Sequence, residues 1–200
     1  DSIQYVNEMH LLYSDTIGTE IIDDIDHQIQ GKVADILIEP DRGKIIALLV
    51  VIPGTSEIYA LQTQDISSWG NRVHICDSDV LGPATDFVRL QDILDDPRTV
   101  IGQKIKTESG FLVGKCIDLQ FEVTTFMIEW IFPRKFFFRK LSLPASDILE
   151  ITENEILVKD QTPEVEEIVE DEITDSGNVQ NVTEPAVGRS LRGNLDSNRD

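Results

Sequence analysis

The chain carries one pattern twice, and this repetition limits its fold more than any other feature. The first copy reads QGKVADILIEPDRGKIIALLVVIP from Gln30, and the second reads LVGKCIDLQFEVTTFMIEWIFP from Leu112. The match extends on both sides. Ile17-Gly18 corresponds to Ile101-Gly102, Gly31-Lys32 to Gly114-Lys115, Asp35 to Asp118, and Pro53 to Pro133. Leu61, Asp65 and Ile66 correspond to Leu143, Asp147 and Ile148, and Asn71 to Ile75 corresponds to Asn154 to Val158. A period near 80 residues is the size of a minimal domain, so each copy is read as one structural unit.

Each copy is a series of short strands. Val33 to Ile38 is almost without polar residues, as in a strand buried on both faces. Pro40-Asp41-Arg42-Gly43 is a turn, because proline presets φ and glycine accepts positive φ. Ile45 to Ile52 is the returning strand, ended by Pro53-Gly54. In the second copy Cys116 to Glu122 and Phe126 to Phe132 form the same pair around Val123-Thr124-Thr125. Regular short strands with Gly/Pro turns predict small barrels or sandwiches, and closure into a barrel would remove exposed sheet edges.

The predicted fold is therefore all-β. Taken as barrels, the repeats give two tandem small β-barrels over 8–80 and 99–160, with a short helical linker over 81–98 and a disordered acidic tail over 161–200. In the linker, Leu90, Ile93 and Leu94 are helically spaced and Pro97 stops the run. In the tail, Val165, Ile168, Val169 and Ile173 would form one apolar stripe of a short helix only if a partner offered a groove, and a solvated acidic tail is the expected reading. A segment this polar buries too little apolar surface to offset its ordering entropy.

These blocks resemble the PRC-barrel family, named after the cytoplasmic domain of the photosynthetic reaction-centre H subunit and including the C-terminal domain of the ribosome maturation factor RimM. The first copy matches through Ile17-Gly18, Gly31-Lys32-Val33-Ala34-Asp35, Arg42-Gly43 and Asp65-Ile66. The second matches through Ile101-Gly102, Gly114-Lys115-Cys116-Ile117-Asp118, Leu143-Pro144 and Asp147-Ile148, and lacks the glycine turn. The resemblance implies small barrels used as non-enzymatic binding or assembly modules. Reaction-centre relatives carry an N-terminal membrane helix that this sequence does not show, and RimM pairs one such barrel with a different one.

The formal net charge of −20 and pI near 4.3 argue against a surface that grips nucleic acid all round. The two cysteines are far apart, and neither a ligand spacing for a metal nor a cofactor-binding loop is present, so no metal and no cofactor is expected. His10, His27 and His74 sit in unrelated contexts. No apolar run reaches membrane-spanning length, and the start of the sequence does not read as a secretory signal, so a cytoplasmic protein is expected. Asp35 and Asp118 recur at one internal position, which points to a local backbone role rather than to paired catalytic carboxylates. No acid, base or nucleophile set marks an enzyme.

One stretch departs from the acidic background. FMIEWIFPRKFFFRK (126–140) holds five of the eight phenylalanines, Trp130, and the cations Arg134, Lys135, Arg139 and Lys140. Consecutive phenylalanines in a strand face alternate sides, so part of the run points away from a core. Either it fills the contact between the barrels, or it docks an acidic partner with Trp130, Phe136 and Phe138 as anchors and Arg134, Lys135, Arg139 and Lys140 as charge complement. The leading expectation is a non-catalytic adaptor or assembly factor that binds a protein partner through this hairpin, with self-association as a further option. The alternative is a ribosome maturation-type factor that meets ribosomal protein or RNA.

Overall fold

Two hairpins of unlike sequence form the same turn, and this sets the architecture. In the computed structural model, which describes residues 9–134 and 141–160, the first repeat turns through Pro40 to Gly43 and the second through Val123 to Phe126. Gly43 donates its N–H to the Glu39 carbonyl at 2.9 Å, and Phe126 donates to the matching Glu122 carbonyl at 2.8 Å. Gly43 has φ 60°, and Phe126 holds the same left-handed conformation at φ 59°. The second copy thus keeps the turn without the glycine, at a backbone cost of about 1–2 kcal/mol.

The elements run as β1 (His10–Leu12), a helical turn α1 (Tyr13–Thr16), β2 (Glu20–Asp23), β3 (Ile29–Glu39), β4 (Lys44–Val51), β5 (Ile58–Gln62), β6 (Ile66–Trp69), β7 (Val73–Ile75) and β8 (Gly82–Pro83). There follow α2 (Val88–Leu94), β9 (Lys104–Thr107), β10 (Leu112–Glu122), β11 (Ile128–Arg134), β12 (Leu143–Pro144), β13 (Ile148–Ile151) and β14 (Glu155–Val158). The fold is mostly β, with two seven-stranded sheets, one of them a curled half-barrel, and few helices. The first sheet has the order β6-β7-β2-β3-β4-β5-β8, and the second has β13-β14-β9-β10-β11-β12 with β1 added on β10. Each repeat thus builds one sheet in one strand order, and each includes one parallel pair, β2 with β7 and β9 with β14.

The repeats exchange parts. β1 precedes the first repeat but pairs with the second, with His10 opposite Glu122. Arg98 precedes the second repeat and forks onto Asp41 of the first, at 2.6 and 3.2 Å, while also holding Asp96 at 2.7 Å. The two turns meet in a reciprocal pair. Ile45 N–H donates to the Phe126 carbonyl and Ile128 N–H to the Gly43 carbonyl, both at 2.9 Å, around a bridge between Lys44 and Met127.

One buried cluster includes Ile21, Val33, Ile45 and Leu48 from the first repeat and Ile105, Leu119, Phe121 and Ile131 from the second. Trp69 links them, with its ring 5.8 Å from Phe121 and 6.2 Å from Phe126. A smaller cluster lies on the other face of the first sheet, where Leu37, Ala47, Ala60 and Ala84 pack under Leu90 of α2. Ile93 and Leu94 join it from the same helix, as their spacing predicts.

The Glu122 carboxylate secures the glycine-free turn. It accepts from Thr124 N–H at 2.7 Å and Thr125 N–H at 2.6 Å. Burial pushes this carboxyl up, but the bonds from Thr124 and Thr125 outweigh it and hold it down at about 2. A depressed carboxyl contributes stability that is present above its ordinary value of 4.5 and is lost as pH falls toward 2. Glu122→Gln should therefore be less stable than the parent near neutral pH, and the gap should close on acidification. Urea midpoints of both proteins along a pH series check this.

Candidate functional site

The outer face of the second sheet differs most from its counterpart in the first. In repeat one, Lys32 of β3 stands opposite Val51 of β4, and in repeat two Lys115 of β10 stands opposite Arg134 of β11. On the other flank, Glu20 of β2 faces Lys32, whereas Lys104 of β9 faces Lys115. Directly opposed residues point to one face, so the first repeat presents Glu20-Lys32-Val51 and the second Lys104-Lys115-Arg134.

Only the first row is neutralised. Glu20 reaches Lys32 at 3.7 Å and Arg72 at 3.1 Å. Lys104, Lys115 and Arg134 are all exposed, and none forms an ion pair among the described residues. The nearby Glu155 is engaged by Lys106. Like charges set opposite one another on adjacent strands are destabilising, so this row costs stability in a chain that has acids in excess.

The centre of the face differs in the same sense. Ala47 pairs with Gln62 and Leu48 with Leu61, while Trp130 pairs with Pro144 and Ile131 with Leu143. Leu61 and Leu143 are matched between the repeats, so Trp130 occupies the place of Ala47. Ala47 is fully buried beneath α2. Trp130 is 39% exposed, and Ile117, near Lys115 on β10, is 47% exposed. Glu129, next to Trp130, is taken up by His10 at 2.7 Å. Among the described residues α2 has no counterpart after β14, and the helix in contact with β10 is the short turn α1, through Ser14 and Asp118.

Of the residues singled out in the sequence, Trp130 and Arg134 thus share one outward face of β11. Lys135, Phe136, Phe138, Arg139 and Lys140 lie outside the described residues. Phe126, the first of the aromatic run, does fill the contact between the repeats, together with Trp69 and Phe121. Lys104 and Lys115 do not stand out as site residues in the sequence alone. Their signal is the pairing of Ile-Gly-Thr-Glu with Ile-Gly-Gln-Lys in the two copies, where Glu20 becomes Lys104.

The recurring aspartates serve the backbone. Asp35 accepts from Ile36 N–H at 2.8 Å and Asp118 from Leu119 N–H at 2.9 Å, each beside a bulge in its strand. Asp118 also takes Ser14 N–H at 3.1 Å and the Ser14 hydroxyl at 2.6 Å, which fastens α1 to the second repeat. Burial, then the Asp35 and Asp118 carboxylates, pushes the Tyr13 phenol up to about 12, so it stays protonated and can donate to Asp35.

Other polar groups hold loops. Asp24 accepts from Ser67 at 2.9 Å and contacts His74 Nδ1 at 2.8 Å. The carboxylate lies between the hydroxyl and the imidazole, an order that does not let the imidazole take the serine proton. Cys116 is fully buried, and burial pushes its thiol up to about 12, which makes it a packing residue. No group of three metal-ligating side chains occurs among the described residues. No helix there is long and apolar enough to cross a membrane. Two clefts, of about 400 and 660 Å³, flank the meeting turns. The first is lined by Asp41, Arg98 and Ile148, and the second by Lys44, Ser67 and Thr124. Compared with known proteins, the sequence matches no family model, and no curated protein is significantly similar to it.

Proposed function

We propose that the chain is a non-catalytic adaptor or assembly module, built of two PRC-barrel-like repeats, that takes a protein partner on the outer face of its second repeat. The observation that carries this reading is the contrast between the two faces. The first is closed by α2 over Ala47, and the second, which has no such helix among the described residues, leaves Trp130 39% exposed on the same outward face as Arg134. Tryptophan and arginine are the residues that most often dominate binding energy at interfaces.

The test is affinity capture of the tagged full chain against its Trp130→Ala and Arg134→Glu variants. The expected result is a defined complex that each substitution depletes at least about tenfold, as befits loss of an interface anchor. A complex retained by both variants would overturn the reading. Recovery of ribosomal particles, shed as salt rises, would move the assignment to ribosome maturation, because phosphate contacts are salt-sensitive.

A further inference from the structure

The chain contains its own example of how such a face is closed. In repeat one a helix lies across β3, β4 and β5, with Leu90 buried and Phe87, Ile93 and Leu94 packed against Leu37, Ala47 and Ala60. In repeat two the matched strands β10 and β11 keep the same pairing and the same outward positions, but no counterpart of α2 follows β14 among the described residues. The geometry points to an acidic amphipathic helix of the partner protein as the occupant, seated across β10 and β11 as α2 sits on the first sheet, with its carboxylates on the Lys104-Lys115-Arg134 row. This inference rests on the proposed role of the face and adds the form and charge of what binds there.

Three observations support that choice of occupant. No member of the cation row forms an ion pair among the described residues, and Glu155, which stands opposite Lys104, is held by Lys106, whereas the equivalent row in repeat one contains Glu20. A partner bearing Glu or Asp supplies carboxylates not already engaged by another cation, and such complementarity sets specificity and on-rate. Trp130 and Ile117 add an apolar centre beside the row, which suits the apolar stripe of a helix and not a bare polyanion. The surrounding charge of −20 opposes a long phosphate backbone more than a short peptide whose acids all meet the row.

Side-chain size adds a specificity rule. Small Ala47 and Ala60 lie beneath the large Phe87 and Leu90 in repeat one. With Trp130 in the place of Ala47, the sizes are reversed, so the docking helix must present a small residue, alanine or glycine, over the indole. Interdigitation of large with small at a packed face demands this.

The test uses the full chain and a synthetic peptide of about sixteen residues, long enough to be partly helical, made of Leu and Ala on one face and Glu on the other. Comparators are the same peptide with Lys for Glu, an oligouridine of matched charge, and a peptide of residues 163–176 of this chain. The expected result is binding of the Glu peptide with a shift of tryptophan emission to shorter wavelength, absent in Trp130→Phe. Lys115→Glu should weaken binding about tenfold, the loss expected for a charge contact at an interface, while Lys32→Gln in the first repeat should leave it unchanged. Equal binding of the Glu and Lys peptides, indifference to Lys115→Glu, or no peptide binding at all would overturn the inference. Tighter binding of oligouridine would overturn it in favour of nucleic acid, and tighter binding of the 163–176 peptide in favour of the chain's own tail. A native complex that needs Trp130 while no peptide binds would sink the helix and leave the docking face standing. A native complex indifferent to both Trp130→Ala and Arg134→Glu would sink the docking face itself.

Discussion

Phe121→Ala should lower the stability of both repeats together, by about 3–5 kcal/mol. Phe121 belongs to β10 of the second repeat and is fully buried. Its ring meets Trp69 of the first repeat at 5.8 Å and a 60° tilt, and both rings belong to the one cluster that spans the sheets. Truncation removes apolar contact and leaves a cavity that the two sheets only partly close. The loss is a large part of the roughly 5–15 kcal/mol typical of a folded domain. Since Trp69 reports the first repeat, a Trp130→Phe background lets its fluorescence be compared with backbone circular dichroism during urea unfolding. The two transitions should coincide in the parent and move together in Phe121→Ala. Two separated steps, with the Trp69 midpoint unmoved, would mean that each repeat folds on its own core and that the Trp69–Phe121 contact contributes little.

The sequence is informative where local chemistry decides the structure. The repeated glycines and the apolar runs around them mark the strand pairs, and Leu90, Ile93 and Leu94 mark α2. It is uninformative where distant segments decide. Nothing in His10–Leu12 announces that β1 pairs with β10 and not with its own repeat. A three-residue strand has no period to read, and its partner residues, Gln120 to Glu122, lie in the other repeat.

The second turn is opaque for a different reason. Without a glycine, Val123 to Phe126 gives no local sign of a left-handed residue. The conformation is held by Glu122, by the Trp69 contact and by the backbone bonds to the first repeat. Pro133 corrects the alignment of the two copies. It matches Val50, not Pro53, since Cys116 pairs with Pro133 as Val33 pairs with Val50, and β11 runs on through it to Arg134. For the candidate site, Trp130 and Arg134 belong to the aromatic and basic run that stands out in the sequence. Lys104 and Lys115 emerge only when the strands are laid side by side, because a row across three strands is scattered along the chain.

Gly114→Ala should cost about 1–3 kcal/mol, the range for forcing extra volume into a packed site, and should also disturb the outer face. A Cβ on Gly114 would lie 2.8 Å from the Arg134 carbonyl oxygen and 3.1 Å from its carbon. Backbone cannot swing aside as a side chain can, so β11 would have to move. Gly31 is matched to it, and a Cβ there would lie 2.8 Å from the Val51 carbonyl oxygen. Neither glycine has positive φ, so the requirement is for space. Gly43→Ala is the contrasting case, with φ 60° and nothing within 4 Å of a new Cβ, and its cost is conformational. This is why Gly-Lys is written twice: the glycine lets the returning strand close over the one before it, and the lysine beside it points outward. In repeat two the same approach sets Arg134 opposite Lys115, so displacing Arg134 should break the cation row as well as the packing. Thermal unfolding of Gly31→Ala, Gly43→Ala and Gly114→Ala, with peptide binding measured well below each midpoint, separates the effects. Gly114→Ala should lose both stability and binding, Gly31→Ala stability alone. Equal binding by the folded Gly114→Ala and parent chains would show that Arg134 does not depend on this contact for its place in the row.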